Sequence, residues 1–210
     1  MNKPSFFLCM LGFVSASMVG HSAAQDAALY DNAIDPGKAY VRVVLQDGDQ
    51  ASIGGAPVTL ADKVSGYVSI APGSVELGAD ETKSPATVDA GTYYTFVQSP
   101  AGFTQFIDPP IGDPSKAEIL FYNLTDQPSI DLFVPAAKTN AIVGVAAGGS
   151  KSVELRAPLT LGFEAQSSGT SIASVDSVDL ERKQAISLFL TQSADGVQLR
   201  KVLNSFADAK

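Results

Sequence analysis

The sequence predicts an all-β protein made of two small antiparallel β-sandwich domains joined by a Pro-rich linker. Short runs of β-branched and aromatic residues recur along the chain and are separated by Gly, Pro, Asp, Asn and Ser, as in strands and turns. Before the C-terminus no stretch has the 3.6-residue apolar period of an amphipathic helix. Residues 107–115 (IDPPIGDPS) hold three prolines and a glycine, which exclude a helix or a central strand there.

The first 24 residues have the features of a secretory signal peptide. Lys3 precedes an apolar run at residues 6–14 that is too short to span a bilayer, and the small residues 22–24 suit cleavage before Gln25. A retained anchor is the alternative reading, while Cys9 lies too early in the run for a lipidated cysteine. We therefore expect an exported, periplasmic protein with no transmembrane segment once the leader is removed.

The remaining chain divides at the Pro-rich segment. We assign residues 25–38 to an N-terminal arm, 39–106 to the first β-sandwich domain, 107–115 to a semi-rigid linker and 116–210 to the second domain. A chain of this length can form two compact domains, each with its own core of alternating Val, Ile, Leu and Phe.

Three pairs of segments indicate that the second domain repeats the first. Each match is short, and chance similarity between β-rich segments is the alternative, but the three matches occur in the same order. The second copy then needs an insertion near residues 164–176. The matched pairs are residues 39–53 with 117–130, 73–77 with 151–155, and 92–103 with 185–197.

Composition excludes several kinds of site. Cys9 and His21 are the only cysteine and histidine, and both lie in the leader. Their loss would exclude disulfides, Ser-His-Asp and Cys-His catalytic sites, and zinc sites built from Cys and His. The net charge of -8 disfavours binding to nucleic acid or anionic lipid, and repels an acidic polysaccharide unless a local basic patch overcomes it. We predict no catalytic residues, no cofactor and no metal site.

Three short motifs are better explained as loops or strand ends than as sites. Asp47-Gly48-Asp49 begins like a calcium loop but lacks the later ligands and the bidentate glutamate. Asp80-Glu81 has no apolar surroundings that would separate the two pKa values as an acid–base pair requires. Residues 123–125 (NLT) match a glycosylation acceptor, a tripeptide common by chance.

The adjacent tyrosines Tyr93 and Tyr94 are candidates for partner contact. Neighbouring residues of a strand face opposite sides, so one ring is predicted to lie in the core and the other to be available at the surface. A surface tyrosine can stack on a sugar ring, but packing in a core or at its rim is the commoner role.

Several motifs together resemble the AlgF family of periplasmic alginate biosynthesis proteins. The chain shows a Leu-Tyr-Asp start with a proline a few residues on, an aromatic-Val-Arg-Val strand, a Tyr-Tyr-Thr segment and a Phe-Tyr-Asn-Leu segment. In this sequence they fall on Leu29, Tyr30, Asp31 and Pro36, on Tyr40, Val41, Arg42 and Val43, on residues 93–95 and on residues 121–124.

The resemblance implies a role in O-acetylation of the exopolysaccharide alginate. Because the chain without its leader lacks His and Cys, we expect a noncatalytic accessory protein or adaptor that binds a periplasmic alginate acetyltransferase within the envelope acetylation complex, with alginate as a further candidate ligand. A carbohydrate-binding or adhesion module is the alternative, and an acetyltransferase or acetyl carrier a further one. The partner-binding candidates are Leu29, Tyr30, Asp31, Arg42, Tyr93 and Tyr94.

Arg42 is the most unusual of these candidates because it interrupts an apolar strand. It alternates with Val41 and Val43, so it should point away from the side that they bury. We expect it to reach the surface and meet Asp31 or a partner carboxylate, with the arm docked on the first domain through Tyr30. A surface ion pair would contribute about 0.5 kcal/mol, and Arg42→Ala should lower acetylation without unfolding the protein.

Overall fold

Two β-sandwiches follow each other along the chain. The computed structural model describes residues 34–110, 112–194 and 196–207, so the leader and the candidates Leu29, Tyr30 and Asp31 lie outside the described residues. From Asp35 onward the chain forms one compact unit that contains both sandwiches. Within the described residues no helix has the length and hydrophobicity to cross a bilayer.

The first sandwich has ten strands in two sheets. Its first inner sheet has the order β10-β9-β1-β5-β4, with β6 also paired to β1, and its first outer sheet has the order β3-β2-β7-β8. The strands are β1 (Ala39–Val44), β2 (Ala51–Ile53), β3 (Ala56–Val58), β4 (Leu60–Ala61), β5 (Val64–Ser65), β6 (Val68–Ile70), β7 (Gly73–Ala79), β8 (Thr82–Val88), β9 (Tyr93–Ser99) and β10 (Gly102–Asp108).

The second sandwich has eight strands and a short 3-10 helix at Pro135–Ala137. Its second inner sheet has the order β14-β11-β17-β18 and its second outer sheet the order β13-β12-β15-β16. The strands are β11 (Lys116–Leu124), β12 (Ile130–Val134), β13 (Thr139–Val145), β14 (Gly149–Arg156), β15 (Leu159–Ser167), β16 (Thr170–Leu180), β17 (Ala185–Ser193) and β18 (Gly196–Leu203).

The all-β sandwich prediction is confirmed, with two refinements. Most neighbouring strands are antiparallel, but β1 pairs with β9 in parallel, and β11 pairs with β17 in the same way. Ile107 and Asp108, which we assigned to the linker, instead form the end of β10. Ile107 pairs with Tyr94 and Asp108 pairs with Tyr93. The prolines begin only after these two residues.

The two sandwiches have the same topology. In the inner sheets β10, β9 and β1 correspond to β18, β17 and β11, and β5 with β6 corresponds to β14. In the outer sheets β3-β2-β7-β8 corresponds to β13-β12-β15-β16. Two of the three sequence matches therefore join equivalent strands. The third does not, because residues 73–77 lie in β7 and residues 151–155 lie in β14, which occupy different places in their sandwiches.

The four sheets are layered, with the two inner sheets facing each other. One apolar core fills each sandwich, and a third cluster joins Val44, Val97 and Phe106 of the first inner sheet to Tyr122 and Phe189 of the second. Every residue of β1 is buried, and so are the central residues of β9, β11 and β17. Strands covered on both faces read as continuous apolar runs rather than alternating ones, which explains their composition.

The last described residues, 204–207, form a C-terminal tail that returns from the second sandwich to the first. Tyr67 donates its backbone N–H to the Ser205 carbonyl at 2.8 Å, and Ala207 donates to the Tyr67 carbonyl at 2.8 Å. A Cβ atom at Gly66 would lie 2.8 Å from the Ala207 nitrogen, so a side chain there would displace the tail. The tail thus fastens one edge of the interface between the sandwiches.

Candidate functional site

Arg42 lies in the interface between the two inner sheets. Val41 and Val43 face the first core, as the strand alternation predicted, and Arg42 faces the opposite side. That side is covered by the second sandwich, so Arg42 is only 1% exposed. The expected surface position of Arg42 is therefore wrong, because the β1 strand is covered on both faces.

The guanidinium of Arg42 donates hydrogen bonds to four side chains. Its Nε atom donates to Thr95 Oγ1 at 2.7 Å, and Nη1 donates to Asn204 Oδ1 at 2.6 Å. Its Nη2 atom donates to Ser187 Oγ at 2.7 Å and to the Tyr122 hydroxyl at 3.0 Å. Three of these four acceptors belong to the second sandwich or its tail, so one cation bridges the two halves of the molecule.

Asp108 provides the countercharge. Its Oδ2 atom lies 3.9 Å from Arg42 Nη2, and its carboxylate accepts hydrogen bonds from the hydroxyls of Tyr67 (at 2.6 Å), Thr95 and Tyr122. Thr95 and Tyr122 accept from the cation and donate to the anion, so they link the two charges. The buried polar cluster comprises Arg42, Tyr67, Thr95, Asp108, Tyr122, Ser187 and Asn204.

Aromatic rings surround the cation. The guanidinium carbon lies 4.6 Å from the centre of the Tyr67 ring, 5.6 Å from that of Phe189 and 5.9 Å from that of Tyr122. These distances allow cation–π attraction, which is stronger where water is excluded. The rings therefore offset part of the desolvation cost of burying the charge.

Burial fixes the protonation states in the cluster. Desolvation alone would lower the pKa of Arg42, but Tyr67, Tyr122 and Asp108 outweigh it and raise that pKa, so Arg42 stays charged. Desolvation raises the pKa of Tyr67 and of Tyr122 above the ordinary tyrosine value, although the nearby cation of Arg42 opposes it. Both phenols thus keep the proton that they donate to Asp108.

The cluster is arranged to hold two surfaces together rather than to bind a substrate. The Thr95 and Ser187 hydroxyls would be the nucleophiles in any acyl-transfer chemistry here, but both residues are 0% exposed. Thr95 bonds to Arg42 and Asp108 of the first sandwich and lies 3.4 Å from the Tyr122 hydroxyl of the second, and Ser187 bonds to Arg42 and to Asn204 of the tail. Within the described ranges no group of three or more His, Cys, Asp or Glu side chains is placed to hold a metal ion.

A solvent-filled cleft opens at one edge of the same interface. This seam cleft has a volume of about 500 Å³ and is bounded by β9, β10, β11, β14 and the start of the linker. Its wall includes Asp108 and Tyr122 of the buried polar cluster, so the cleft borders that cluster. Its other lining residues include Tyr93, Ile107, Pro109, Pro110, Leu120 and Lys151.

Comparison with known proteins identifies the family. The family model described as "Alginate O-acetyl transferase AlgF" matches residues 12–187. The chain belongs to the AlgF family. The resemblance of the sequence motifs to that family is thus confirmed, and the protein takes part in alginate biosynthesis and O-acetylation.

Relatives of this AlgF-family chain are similar over most of their length. The alginate biosynthesis protein AlgF of Pseudomonas fluorescens is 30% identical, with 86% of this chain and 85% of that protein covered. The AlgF of Azotobacter vinelandii is 25% identical, with 89% and 86% covered. A carbohydrate-binding module, CBMbc of family CBM26 from Eubacterium rectale Amy13K, solved with maltoheptaose, covers 81% of this chain at 10% identity and a TM-score of 0.29, which is too low to support an inference.

The two adjacent tyrosines of this AlgF-family chain face opposite sides, and both are covered. Tyr94 packs on Phe96 in the first core at 6.0 Å between ring centres. Tyr93 stacks on Tyr40 at 4.7 Å and meets Tyr67 edge-on at 5.5 Å. Burial and the neighbouring Tyr40 raise the pKa of Tyr93 to about 12. Tyr93 is 7% exposed, so the expected surface ring is instead a covered one whose edge borders the seam cleft.

Two of the short motifs have structural roles in the AlgF-family fold. Asp80 accepts hydrogen bonds from the backbone N–H groups of Asp49 and Gln50, and Lys63 Nζ lies 3.2 Å from Asp49 Oδ1, so a lysine occupies the loop that resembled a calcium site. Asn123 is 0% exposed, and its Nδ2 donates to two backbone carbonyls. An acceptor side chain buried in this way is inaccessible to glycosylation.

Most members of the buried polar cluster were not predicted from the sequence. Asp108 and Ser187 belong to no motif, Thr95 is only the last residue of the Tyr-Tyr-Thr segment, and their shared location depends on how the two sandwiches stack. One signal was present in the sequence: the runs AYVRVVL, YYTFV, AEILFY and ISLFL do not alternate. Such runs indicate strands buried on both faces, and a lone Arg in one of them then needs buried partners.

Proposed function

We propose that this chain is a noncatalytic accessory protein of alginate O-acetylation, and that it works in the periplasm by binding an acetyltransferase in the envelope acetylation complex. Family membership supports the pathway. The leader-like residues 1–24 support export. The fixed pairing of the two sandwiches supports the binding of a protein partner.

The observation that carries the noncatalytic role is the closure of the buried polar cluster. Thr95 and Ser187 are the aliphatic hydroxyls that bond to the Arg42 guanidinium, Thr95 also donates to Asp108, and both residues are fully buried. An acyl donor must bring its carbonyl carbon to about 3–3.5 Å from a nucleophile, and neither hydroxyl lines the seam cleft. The cluster therefore serves to fix the relative position of the sandwiches.

A fixed pair of sandwiches suits an adaptor. A binding surface that spans both halves keeps its geometry only if the halves cannot move apart, because a preorganised surface avoids the entropy cost of ordering on binding. The bridge between Arg42 and Tyr122, Ser187 and Asn204 and the pairing of the C-terminal tail with Tyr67 provide that rigidity.

The first experiment measures acetyl transfer and ester hydrolysis by the purified chain lacking residues 1–24. The proposal expects no turnover of an activated acetyl ester and no transfer to oligomannuronate. In parallel, a strain that lacks the gene should make alginate with little acetyl ester, and the plasmid-borne gene should restore it. Turnover by the purified chain at a rate typical of enzymes would replace the accessory role with the acetyltransferase activity that the family model's description names.

The second experiment measures binding to the purified periplasmic acetyltransferases of the same organism by calorimetry or surface plasmon resonance. The proposal expects direct binding to at least one of them. Binding to oligomannuronate at moderate salt without binding to any of these proteins would favour the carbohydrate-binding alternative. Cell fractionation with mass measurement of the N-terminus tests export and cleavage before Gln25.

A further inference from the structure

The contact between the C-terminal tail and the first sandwich has the form of a bound peptide. The backbone N–H of Tyr67 donates to the Ser205 carbonyl, and the N–H of Ala207 donates to the Tyr67 carbonyl, both at 2.8 Å. Residue 206 thereby bridges in parallel to Tyr67. Adding an extended segment to a backbone edge in this way is a common mode of peptide recognition.

The side chain of Phe206 is the apolar anchor of the tail. It packs edge-on against Tyr40 at 5.6 Å and lies 6.2 Å from Tyr67 and 6.4 Å from Tyr93, measured between ring centres. These three tyrosines form a cluster of their own, apart from the cores of the two sandwiches. The three rings and the Tyr67 backbone make up the tail site, which accepts an aromatic side chain.

The second anchor of the tail is an oxygen acceptor. The Oδ1 atom of Asn204 accepts from Arg42 Nη1 at 2.6 Å and from Ser187 Oγ at 2.8 Å. Residues two apart in an extended segment point to the same side, so Asn204 and Phe206 reach the interface together. Because both hydrogen bonds are accepted by an oxygen atom, the carboxylate of an Asp fits this position as well as the amide of an Asn.

The tail is separable from the two sandwiches. It begins directly after β18, which ends at Leu203, and in the described part of the chain the core of neither sandwich includes residues 204–207. Phe206 remains 38% exposed, and its two neighbours are exposed as well. Segments with few buried apolar contacts open locally while the rest of the protein stays folded. Three acceptors of Arg42 lie outside the tail, so the interface holds when the tail leaves.

We propose that the tail site docks an extended segment of a partner acetyltransferase, which replaces residues 204–207 and carries Asp or Asn two residues before an aromatic residue. This inference rests on the proposed adaptor function and names its docking site. The tail competes at a high effective concentration because it is attached to the chain, so the partner segment must bind better than the tail. A carboxylate in the place of Asn204 supplies that advantage, since it adds the attraction of an opposite charge to the hydrogen bond with Arg42.

The first test is whether the tail leaves its site while the chain stays folded. Amide hydrogen exchange of the chain lacking residues 1–24 measures this, with the N–H groups of Tyr67 and Ala207 as reporters. We expect both to exchange roughly tenfold or more faster than the amides of β11. Equal protection of the reporters and of β11 would mean that the tail leaves only on global unfolding, which would overturn the proposal.

The second test uses a blocked synthetic peptide with the sequence of residues 203–207, Leu-Asn-Ser-Phe-Ala, and a second peptide with Asp in place of Asn. Fluorescence anisotropy measures their binding to the wild-type chain and to Phe206→Ala, whose competing tail has lost its anchor. We expect both peptides to bind Phe206→Ala roughly tenfold or more tightly than the wild type, and the Asp peptide to bind better than the Asn peptide. A peptide with Ala in place of Phe should bind neither chain.

Two glycine variants provide a matched control. A Cβ atom at Gly66 would lie 2.8 Å from the Ala207 nitrogen, whereas the nearest atoms to a Cβ at Gly162 are 3.6 Å away. Combined with Phe206→Ala, Gly66→Ala should weaken peptide binding roughly tenfold or more, and Gly162→Ala should leave it unchanged, with folding checked by circular dichroism. Failure of every peptide to bind Phe206→Ala, or equal binding by the two glycine variants, would overturn the tail site.

Intact acetyltransferase completes the test. It should bind Phe206→Ala more tightly than the wild type, because the competitor is weakened, and should bind Gly66→Ala weakly. Equal binding to all three chains would show that the docking site is wrong and that the adaptor function stands, whereas binding to none of them would mean that the adaptor function itself fails. A dimer of the wild-type chain that dissociates in Phe206→Ala would assign the tail site to a second copy and overturn the proposal.

Discussion

The two sandwiches share a topology but make unequal contributions to the interface between them. In the matched segments Arg42 of β1 corresponds to Leu120 of β11, and both face the central interface. The first sandwich supplies both charges, Arg42 and Asp108, while the second supplies the neutral acceptors Tyr122 and Ser187. The difference shows how two similar sandwiches become one rigid unit. The first sandwich carries a buried cation, and most of the hydrogen-bond acceptors of that cation come from the second sandwich and its tail.

The largest effect should come from removing the anion of the first sandwich. Asp108→Leu leaves the Arg42 cation buried without its countercharge, and breaking a buried pair in this way costs about 3–5 kcal/mol. Urea denaturation should show a matching fall in the free energy of unfolding, or a loss of soluble protein. Arg42→Ala should also destabilise the fold, which replaces our expectation that this variant stays folded.

The double variant Arg42→Met/Asp108→Leu is the control for that prediction. It removes both charges and fills their space with apolar atoms, so it should lose much less stability than the sum of the single variants. Additive losses would mean that the two residues act through packing and not as a pair.

The second-largest effect should come from high pH, which should weaken the interface between the sandwiches. Tyr67 of the first sandwich and Tyr122 of the second have pKa values raised by burial, while unfolded tyrosine ionises near about 10. Above that pH the unfolded state releases protons that the folded state retains, so stability falls as pH rises, by about 1.4 kcal/mol per phenol for each pH unit. Below about pH 9 these phenols should cause no slope.

Thermal denaturation across pH 8 to 11 would measure this slope. Tyr122→Phe should be less stable at neutral pH, because a hydrogen bond to Asp108 is lost, and yet show a shallower alkaline decline. An unchanged slope in both Tyr67→Phe and Tyr122→Phe would show that other groups govern the alkaline transition.

Smaller losses should follow from the neutral acceptors of the second sandwich. Ser187→Ala and Asn204→Leu each remove one acceptor of Arg42, but three hydrogen bonds to the guanidinium remain. We expect a loss of about 1–3 kcal/mol for each, measured by urea denaturation. A loss as large as that of Asp108→Leu would contradict the unequal roles of the two sandwiches.

The smallest effect should be seen at the seam cleft. Ile107→Asp and Lys151→Glu alter exposed side chains, so each should change the free energy of unfolding by about 0.5 kcal/mol or less. Melting temperatures close to that of the wild type would show that neither side chain supports the fold.

The sequence allowed the strands and the repeat to be predicted because both depend on local patterns. Turn residues and β-branched runs located most strands, and two of the matched pairs joined β1 to β11 and β9 to β17. The third pair, residues 73–77 with 151–155, failed because a Ser-Val-Glu-Leu run fits any half-buried strand and contains no information on its neighbours.

The candidate site was less predictable because it depends on stacking. Alternation placed Arg42 on the side opposite Val41 and Val43, as the structure has it, but alternation alone does not say whether that side meets water or another sheet. Thr95 and Asn204 lie 53 and 162 residues from Arg42 along the chain. Contacts of that range come from the tertiary arrangement and leave no spacing that a motif search can detect.

The hydrogen bond between Arg42 and Asn204 also orders the events of folding. It closes a loop of 162 residues, and the eighteen strands found in the described part of the chain all end before residue 204. A chain can therefore pair these strands while Arg42 has three of its four acceptors and still lacks Asn204. The interface is complete only when residues 204–207 have docked on the first sandwich, and closing so long a loop predicts that this docking is slow.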